Sequence, residues 1–387
     1  MRVQLGSERL IDSGRLAGLR VGVVANPASV DHGYRHIVDG VASAPGARLA
    51  AIFGPQHGFR SDVQENMIET AHARDDRRRV PIYSLYSETR QPTSDMLRDV
   101  DVLVIDLQDV GTRIYTYIYT MANCLLAAKR QAVKVLVCDR PNPIGGLAVE
   151  GPMLRPGFES FVGMYPIPMR HGMTIGELAR LFNERFGIGA DLAVVPMHGW
   201  QRHMFHDESD APWVLPSPNL PTLDSAIVYP GTVLFEGTSV SEGRGTTRPF
   251  ELVGAPGVVA ESFAAHMNAS NLPGAHFRPA AFEPTFHKHA RQICGGCQIH
   301  VRDRRAFRPV LTGAALIAAF RAAEPDRFRW RDPPYEYEAV KLPFDILAGS
   351  SELREQIEAG TPIAEIGRSW EPGIAEFMKL RAEYLLY

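Results

Sequence analysis

Cysteine is scarce in this sequence, with four residues in a chain of 387. Small secreted folds that depend on disulfides use cysteine far more densely, so a disulfide scaffold is excluded. The one close pair, Cys294 and Cys297, brackets two glycines. This spacing occurs in redox dithiols and in half of a zinc site, but no second Cys or His pair follows at zinc-finger spacing. We interpret the pair as a turn leading into a strand at residues 297–301, with a redox dithiol as the alternative.

The sequence also lacks long apolar runs and an excess of one charge. Its 41 Lys and Arg residues nearly balance 44 Asp and Glu residues, for a formal net charge of -3. Nucleic acid is therefore not an expected partner, because nucleic-acid binding needs a basic surface. No stretch reaches the length of a membrane span, and the first residues lack the apolar segment of a secretion signal. We expect a cytoplasmic protein, or a periplasmic or secreted one if a leader was removed.

Short apolar runs alternate with helical patterns in the first half of the chain. This alternation is typical of a parallel sheet wrapped by helices. The run at residues 100–107 has the branched apolar composition of a strand buried on both faces. A chain of this length exceeds what one core usually holds. We predict an α/β protein with a Rossmann-like parallel-sheet domain at residues 1–225 and a smaller mixed α/β domain at residues 226–387, which opens with a strand at residues 226–229.

Nearly every predicted strand ends in a polar turn. Ligands of open α/β sheets bind outside the carboxyl ends of the strands, so we expect these turns to converge on one crevice. The candidate binding residues there are Asn26, Asp109, Arg113, Tyr117, Asp139, Arg140 and Asn142. Asp109 and Arg113 could instead form a salt bridge that shapes their turn. Tyr115 and Tyr117 cannot share one helical face, so at most one of them reaches the ligand if this segment is helical.

A glycine-rich segment at residues 234–251 carries three glutamates and two arginines. It lacks the lysine of a phosphate-binding loop and the glycine spacing of a dinucleotide site. Its mixture of Glu236, Glu242, Arg244 and hydroxyl residues suits a sugar site, whereas Glu251 fits a structural ion pair better. His57, in a glycine-flanked turn, is a candidate for acid/base work or a polar anchor. The histidines and acids form no recognised metal-ligand set, and no serine-nucleophile motif is present.

Several of these motifs, in this order, resemble the NamZ-type exo-β-N-acetylmuramidase family (glycoside hydrolase family 171). The matching runs are residues 53–58, 106–117, 139–146, 165–174, 215–221 and 236–250. The resemblance implies a Rossmann-like catalytic domain, a smaller C-terminal domain and a site in the cleft between them. It also implies hydrolysis that releases N-acetylmuramic acid from the non-reducing ends of peptidoglycan fragments. The expected partner is thus a muramic-acid-containing saccharide, and no cofactor or metal is expected.

One position departs from the family pattern. The family's hydrolases carry a proposed catalytic Glu where this chain has Gln56, and an amide cannot donate a proton as a carboxylic acid does. Glycosidases ordinarily need two carboxyl groups beside the scissile bond. The resemblance therefore places the catalytic site at Gln56, His57, Glu65, Glu236 and Glu242, with Glu69 as a further replacement for the acid.

An arginine is expected to hold the lactyl carboxylate of muramic acid, because bidentate pairing is strongest there. The candidates are Arg113, Arg140 and Arg244. The alternative to a hydrolase is a sugar-binding or altered-specificity relative that lost muramidase activity through Gln56.

Overall fold

The computed structural model of the protein describes residues 2–65 and 67–387. The strands are β1 (Arg20–Ala25), β2 (Arg48–Gly54), β3 (Ala73–Asp75), β4 (Val80–Ser84), β5 (Val102–Asp106), β6 (Lys134–Cys138), β7 (Glu150–Met153), β8 (Pro168–Arg170), β9 (Leu192–Val195), β10 (Leu252–Ala255), β11 (Ala275–Phe282) and β12 (Cys294–Val301). The helices are α1 (Gly6–Asp12), α2 (Ile37–Ser43), α3 (Ser94–Leu97), α4 (Tyr117–Gln131), α5 (Ile175–Glu184), α6 (Leu223–Thr232), α7 (Ala260–Ala269), α8 (Pro309–Ala323), α9 (Pro343–Ala348), α10 (Glu352–Glu358), α11 (Ile363–Ser369) and α12 (Glu371–Ala382).

The first half of the chain builds a sheet in the order β3-β4-β2-β1-β5-β6-β9. All neighbours pair in parallel except β3, which runs antiparallel to β4 at the edge. Counted along the chain, the six parallel strands follow the order 3-2-1-4-5-6, which is the Rossmann order. Every residue of β5 is buried, as its branched apolar sequence requires at the centre of a sheet covered by helices on both faces. The predicted α/β fold is confirmed.

Local sequence signals set the helix that follows β8. Thr174 is the N-cap of α5, and its hydroxyl accepts a hydrogen bond from the backbone N–H of Glu177. The Glu177 carboxylate in turn accepts from the Thr174 N–H. This reciprocal capping box satisfies two backbone donors that would otherwise be unpaired at the start of the helix.

A smaller sheet, β10-β12-β11, is antiparallel and lies in the second half of the chain. The predicted strand at residues 226–229 is wrong, because these residues lie inside α6. All four are buried, because α6 packs against α8. The two helices approach each other so closely that a Cβ added to Gly231 would lie 1.8 Å from the Pro309 carbonyl oxygen. A fully buried helix shows no alternation of apolar and polar residues, so a short stretch of it resembles a strand.

The two-cysteine segment is part of a strand rather than a turn. β12 begins at Cys294, and both thiols are buried and free. A Cβ on Gly295 or Gly296 would lie 1.9 or 2.0 Å from a backbone oxygen, so the glycines serve close backbone approach. Burial raises the pKa of Cys294 to about 11 and raises that of Cys297 further. A raised pKa keeps a thiol protonated, and a protonated thiol is a poor nucleophile, which argues against a redox dithiol.

Among the helices described, none is both long enough and apolar enough to span a bilayer.

Candidate active site

A narrow pocket lies where the carboxyl ends of the parallel strands meet the second half of the chain. It has about 460 Å³ of free space, including its mouth. Its wall is made of residues from several segments of the chain: Gln56, His57, Ile114, Tyr115, Thr116, Tyr117, Val162, Ser217, Asn219, Tyr229, Glu236, Arg244, Phe250, Tyr335 and Glu336. The turns after β2 and β5 thus converge on one site, together with the glycine-rich segment and a loop near residue 336.

Glu336 lies directly against Gln56. The Gln56 amide donates from Nε2 to Glu336 Oε1 at 3.1 Å, and the Tyr86 hydroxyl donates to Glu336 Oε2 at 2.9 Å. Thr116 fixes the amide's orientation by donating to Gln56 Oε1 at 2.7 Å. Burial raises the pKa of Glu336 to about 7, with the nearby Glu236 contributing and the two hydrogen bonds opposing. A carboxyl group that can still be protonated near neutral pH therefore occupies the place where Gln56 cannot act as an acid.

The second carboxylate of the pocket, Glu236, is ion-paired. Arg244 Nη2 lies 2.5 Å from Glu236 Oε1, and the Tyr335 hydroxyl donates to Glu236 Oε2 at 2.7 Å. Tyr335 directly precedes Glu336, so one loop touches both carboxyl groups. The two acids have opposite surroundings, with a guanidinium beside Glu236 and neutral donors around Glu336. Such a pair suits one group acting as a proton donor and the other as an anion.

His57 faces the pocket as a neutral ring with a defined tautomer. Its Nδ1 lies 2.8 Å from the Val63 carbonyl oxygen, which can only accept, so Nδ1 carries the proton and Nε2 is an acceptor. Burial lowers the pKa of His57 to about 4, despite this bond to the Val63 carbonyl. At neutral pH the ring can accept a proton or a hydrogen bond but carries no charge.

Three wall residues adopt left-handed backbone conformations, with φ of 68° at His57, 66° at Phe250 and 45° at Glu336. Non-glycine residues seldom adopt such angles, and those that do concentrate at functional sites, where the surrounding fold holds them. At Phe250 the holding contact is a hydrogen bond from its N–H to the Glu242 carbonyl oxygen at 2.7 Å.

Glu242 lies behind the pocket wall in a buried ion-pair network. Lys288 Nζ is 2.6 Å from its Oε2, and Arg244 Nε and His287 Nδ1 are each 3.3 Å from its Oε1. Burial opposes ionisation, but Lys288 and the neighbouring cations hold the pKa of Glu242 well below its ordinary value. Arg244 thereby bridges Glu236 and Glu242. We reassign Glu242 from catalysis to positioning Arg244.

The arginine predicted to face the crevice after β5 is instead a buried structural residue. Arg113 has no exposed surface, and its guanidinium donates to the carbonyl oxygens of Pro152, Ile167 and Leu347. The proposed salt bridge between Arg113 and Asp109 is absent. Asp109 lies beside the ring of His171 instead, with 3.3 Å between Asp109 Oδ2 and His171 Nε2.

The candidates after β6 also serve the fold. Arg140 forms a buried ion pair with Asp106, and Asp139 accepts from the Gly176 N–H and the Thr174 hydroxyl at the start of α5. Asn142 donates to the Met173 carbonyl oxygen. Each is buried and outside the pocket wall, so the structure does not bring this group to the pocket.

Asn26 lies just behind the wall, where it orients a wall residue. Its amide donates to the hydroxyl of Tyr117 at 3.0 Å and to the Pro216 carbonyl oxygen at 2.7 Å. Tyr117 is the first residue of α4, so Tyr115 precedes the helix and the helical-face restriction does not apply. Their ring centroids are 4.6 Å apart and both rings line the pocket.

The acids proposed to replace Gln56 from the following loop are not in the wall. Glu65 is partly exposed outside the pocket, and Glu69 is exposed, where its carboxylate accepts from the Tyr337 hydroxyl at 3.1 Å. The sequence analysis missed Glu336, Tyr86 and Tyr335. Glu336 is 280 positions from Gln56, in a loop without a recognisable motif, so only the folded chain reveals their contact. Within residues 2–65 and 67–387, no cluster of three or more His, Cys, Asp or Glu side chains could hold a metal ion.

Comparison with known proteins places the whole chain in one family. The family models "Exo-beta-N-acetylmuramidase NamZ, N-terminal" and "C-terminal" match residues 21–224 and 227–387. The Bacillus subtilis (strain 168) protein named peptidoglycan beta-N-acetylmuramidase NamZ is 47% identical, over 100% of this chain and 92% of that protein. Crystal structures of two DUF1343 family proteins from Bacteroides fragilis NCTC 9343 also match, and each match covers 100% of this chain and 99% of the other chain. One has a TM-score of 0.90 and 34% sequence identity, and the other has a TM-score of 0.77 and 28% identity. The chain therefore belongs to the NamZ family of exo-β-N-acetylmuramidases.

Proposed function

We propose that this protein is an exo-acting glycoside hydrolase that releases N-acetylmuramic acid from the non-reducing ends of peptidoglycan fragments. The observation that carries the chemistry is the pair of buried carboxyl groups, Glu336 and Glu236, in one narrow pocket. The relative that is 47% identical is named for this activity. A narrow pocket also suits an exo-acting enzyme, which binds the end of a chain rather than its middle.

Glu336 is the general acid of this proposal. It donates its proton to the glycosidic oxygen as the bond to the anomeric carbon breaks, and the shortened saccharide leaves. Glu236 faces the positive charge that develops on the sugar ring, and Arg244 and Tyr335 hold its carboxylate in place. Water then adds at the anomeric carbon and passes a proton to the Glu336 carboxylate, which gives the free sugar and restores the acid. The two-unit organisation at residues 1–225 and 226–387 is part of the proposal, because both carboxyl groups of the pair would then lie in the C-terminal unit and face the Gln56 turn of the N-terminal unit.

The direct test is incubation of the full chain with peptidoglycan glycan strands that end in N-acetylmuramic acid. We expect mass spectrometry to detect free N-acetylmuramic acid and strands shortened by one sugar. Matched strands ending in N-acetylglucosamine should release nothing. A folded protein that releases no muramic acid from either substrate would exclude the proposal.

The cytoplasmic location expected from the sequence stays a prediction.

Gln56→Glu distinguishes the hydrolase from a sugar-binding relative. The substitution would place a second carboxyl group about where the amide now lies, 3.1 Å from Glu336 Oε1. Two carboxyl groups this close share one proton, so the pair should hold it to higher pH. We expect the wild type to be active. In the variant, kcat/KM should decline at a pH roughly one unit or more above the pH at which it declines in the wild type. An inactive wild type that gains muramidase activity with Gln56→Glu would instead support the sugar-binding alternative.

A further inference from the structure

A second cavity lies at the carboxyl edge of the large sheet, apart from the active-site pocket. It has about 1070 Å³ of free space, including its mouth, and shares no wall residue with that pocket. Its wall is formed by the segment before α1, by α1 itself, by the loop between β1 and α2, and by His198 after β9. Ligands of open α/β sheets bind outside this edge, so the cavity has the position of a binding site.

One short chain of hydrogen bonds joins the two cavities. The ring of His36, in the wall of the second cavity, lies with its Nε2 2.8 Å from the Asn26 carbonyl oxygen. The Asn26 amide in turn donates to the hydroxyl of Tyr117, which lines the active-site pocket. The second cavity therefore neighbours the active site behind Asn26 but does not open into it through a shared residue.

The acids of the second cavity are unlike those of the active site. Glu8 and Asp31 are half-buried and Asp12 is exposed, whereas Glu336 is 5% exposed. A carboxyl group in contact with water keeps its charge at neutral pH and makes a poor proton donor to a glycosidic oxygen. The second cavity is thus suited to binding rather than to hydrolysis.

Several polar side chains of this cavity form no hydrogen bond or ion pair with the part of the chain that the structure describes. They are Arg2, Gln4, Ser7, Asp12 and His198. Arg2 and Asp12 carry opposite charges, so the set favours neither an anion nor a cation. The Ser7 hydroxyl is buried without a partner, which costs free energy that a ligand hydroxyl would recover. Donors and acceptors of this kind suit the hydroxyl and acetamido groups of a saccharide.

An exposed aromatic ring belongs to the loop that forms one side of the cavity. Tyr34 is 68% exposed and directly precedes the wall residue Arg35. Its loop is held by Asp31, whose Oδ1 accepts from the N–H groups of Gly33 and Arg35 at 2.8 Å each and whose carbonyl oxygen accepts from the Tyr34 N–H at 3.0 Å. A ring on a fixed loop offers its face to a sugar with little loss of entropy on binding.

From these observations we propose that this cavity, together with Tyr34, is a second saccharide-binding site, which holds a neutral stretch of glycan away from the reacting sugar. The inference goes beyond the proposed hydrolysis, because binding at this site needs no catalytic group. The glycan is either the remainder of the substrate strand or a separate strand. Both present the same hydroxyl and acetamido groups, and the length of the substrate distinguishes them.

The test is a calorimetric titration of the full chain with chitotetraose, a neutral oligomer of N-acetylglucosamine. Tyr34→Ala should weaken binding about tenfold, while Tyr34→Phe, which keeps the ring, should retain most of the affinity. Ser7→Ala should also weaken binding without lowering the free energy of unfolding, because it removes a buried hydroxyl that has no partner in the described chain. Tyr337→Ala is the matched control, since Tyr337 is 54% exposed and follows Glu336 of the active-site pocket.

Two results would overturn the second site. One is a wild type that does not bind the oligomer at millimolar concentration. The other is an affinity that Tyr34→Ala and Ser7→Ala leave unchanged, including the case in which Tyr337→Ala alone weakens it and so places the oligomer at the active site. Both results are read from binding alone, so they are distinct from a failure of the proposed hydrolysis.

Steady-state kinetics identify the strand that occupies the site. If the remainder of the substrate binds there, Tyr34→Ala should raise KM for long glycan strands and leave KM for a disaccharide and kcat on both substrates unchanged. Weakened binding of chitotetraose with an unchanged KM on both substrates would assign the site to a separate strand.

Discussion

Glu336→Gln is expected to lower kcat on muramic-acid disaccharides by a factor of ~10²–10⁴, the usual contribution of a general acid. The amide is nearly the same size, and its oxygen can accept the bond that Gln56 donates now. The Tyr86 hydroxyl can turn to accept from the new amide N–H, so the fold of the site should persist. What the variant loses is the proton. A substrate whose leaving group needs no protonation, such as a nitrophenyl glycoside, should therefore lose much less activity than the disaccharide.

The pH profile gives an independent check of the same role. Burial raises the pKa of Glu336 to about 7, and the acid must be protonated to act, so wild-type kcat/KM should decline as the pH rises through about 7. In Glu336→Gln that decline should disappear from the residual activity. Glu251→Gln is the matched control, since Glu251 is equally buried but bonds to Ser225 and Thr222 outside the pocket. Equal losses on both substrates would assign Glu336 a structural role instead.

The fold was predictable because the spacing of apolar residues along the sequence indicates where strands and helices lie. Strands such as β5 are continuous apolar runs in the sequence, and their polar ends mark the edge of the sheet where ligands bind. The same signal failed for α6, whose residues are buried on every side. Because no face of this part of α6 meets solvent, its sequence shows no alternation of apolar and polar residues. Its helical conformation depends on packing against the neighbouring α8.

The site was predictable only in part, for a different physical reason. Gln56, His57, Glu236 and Arg244 stand in motifs, and the fold brings them together. The sequence cannot distinguish a polar side chain that serves a ligand from one that satisfies buried backbone. Arg113 illustrates this ambiguity, since its guanidinium is fully buried and donates to three backbone carbonyl oxygens instead of facing the pocket. Glu336 shows the opposite case, an unremarkable loop residue whose role comes from a contact across 280 positions.

The largest effect on stability is expected from Glu242→Gln. Glu242 is buried and the Lys288 side chain is only 15% exposed, with their charged atoms 2.6 Å apart, and the substitution leaves Lys288 without its carboxylate. Burial already lowers the pKa of Lys288 despite this partner. Removing one member of a buried pair typically costs ~3–5 kcal/mol, so we expect a loss of that order in the free energy of unfolding. Arg244 would also lose one of its two carboxylate contacts, so activity should fall together with stability.

The pH dependence of that loss follows from the lowered pKa of Glu242. Because its pKa is lower in the folded than in the unfolded chain, the carboxylate contributes fully above about pH 4.5 and progressively less as the pH falls. Urea titrations should therefore show the wild type and Glu242→Gln converging in acid. Asp207→Asn is the control, since Arg304 and Asp207 are also 2.6 Å apart but about 36% and 51% exposed, and we expect a cost of at most ~1 kcal/mol. Combining Glu242→Gln with Lys288→Met should recover part of the stability, because no buried charge then lacks a partner. A gap between wild type and variant that stays constant down to pH 3 would contradict this account of the network, and with it the role of Glu242 in holding Arg244 against Glu236.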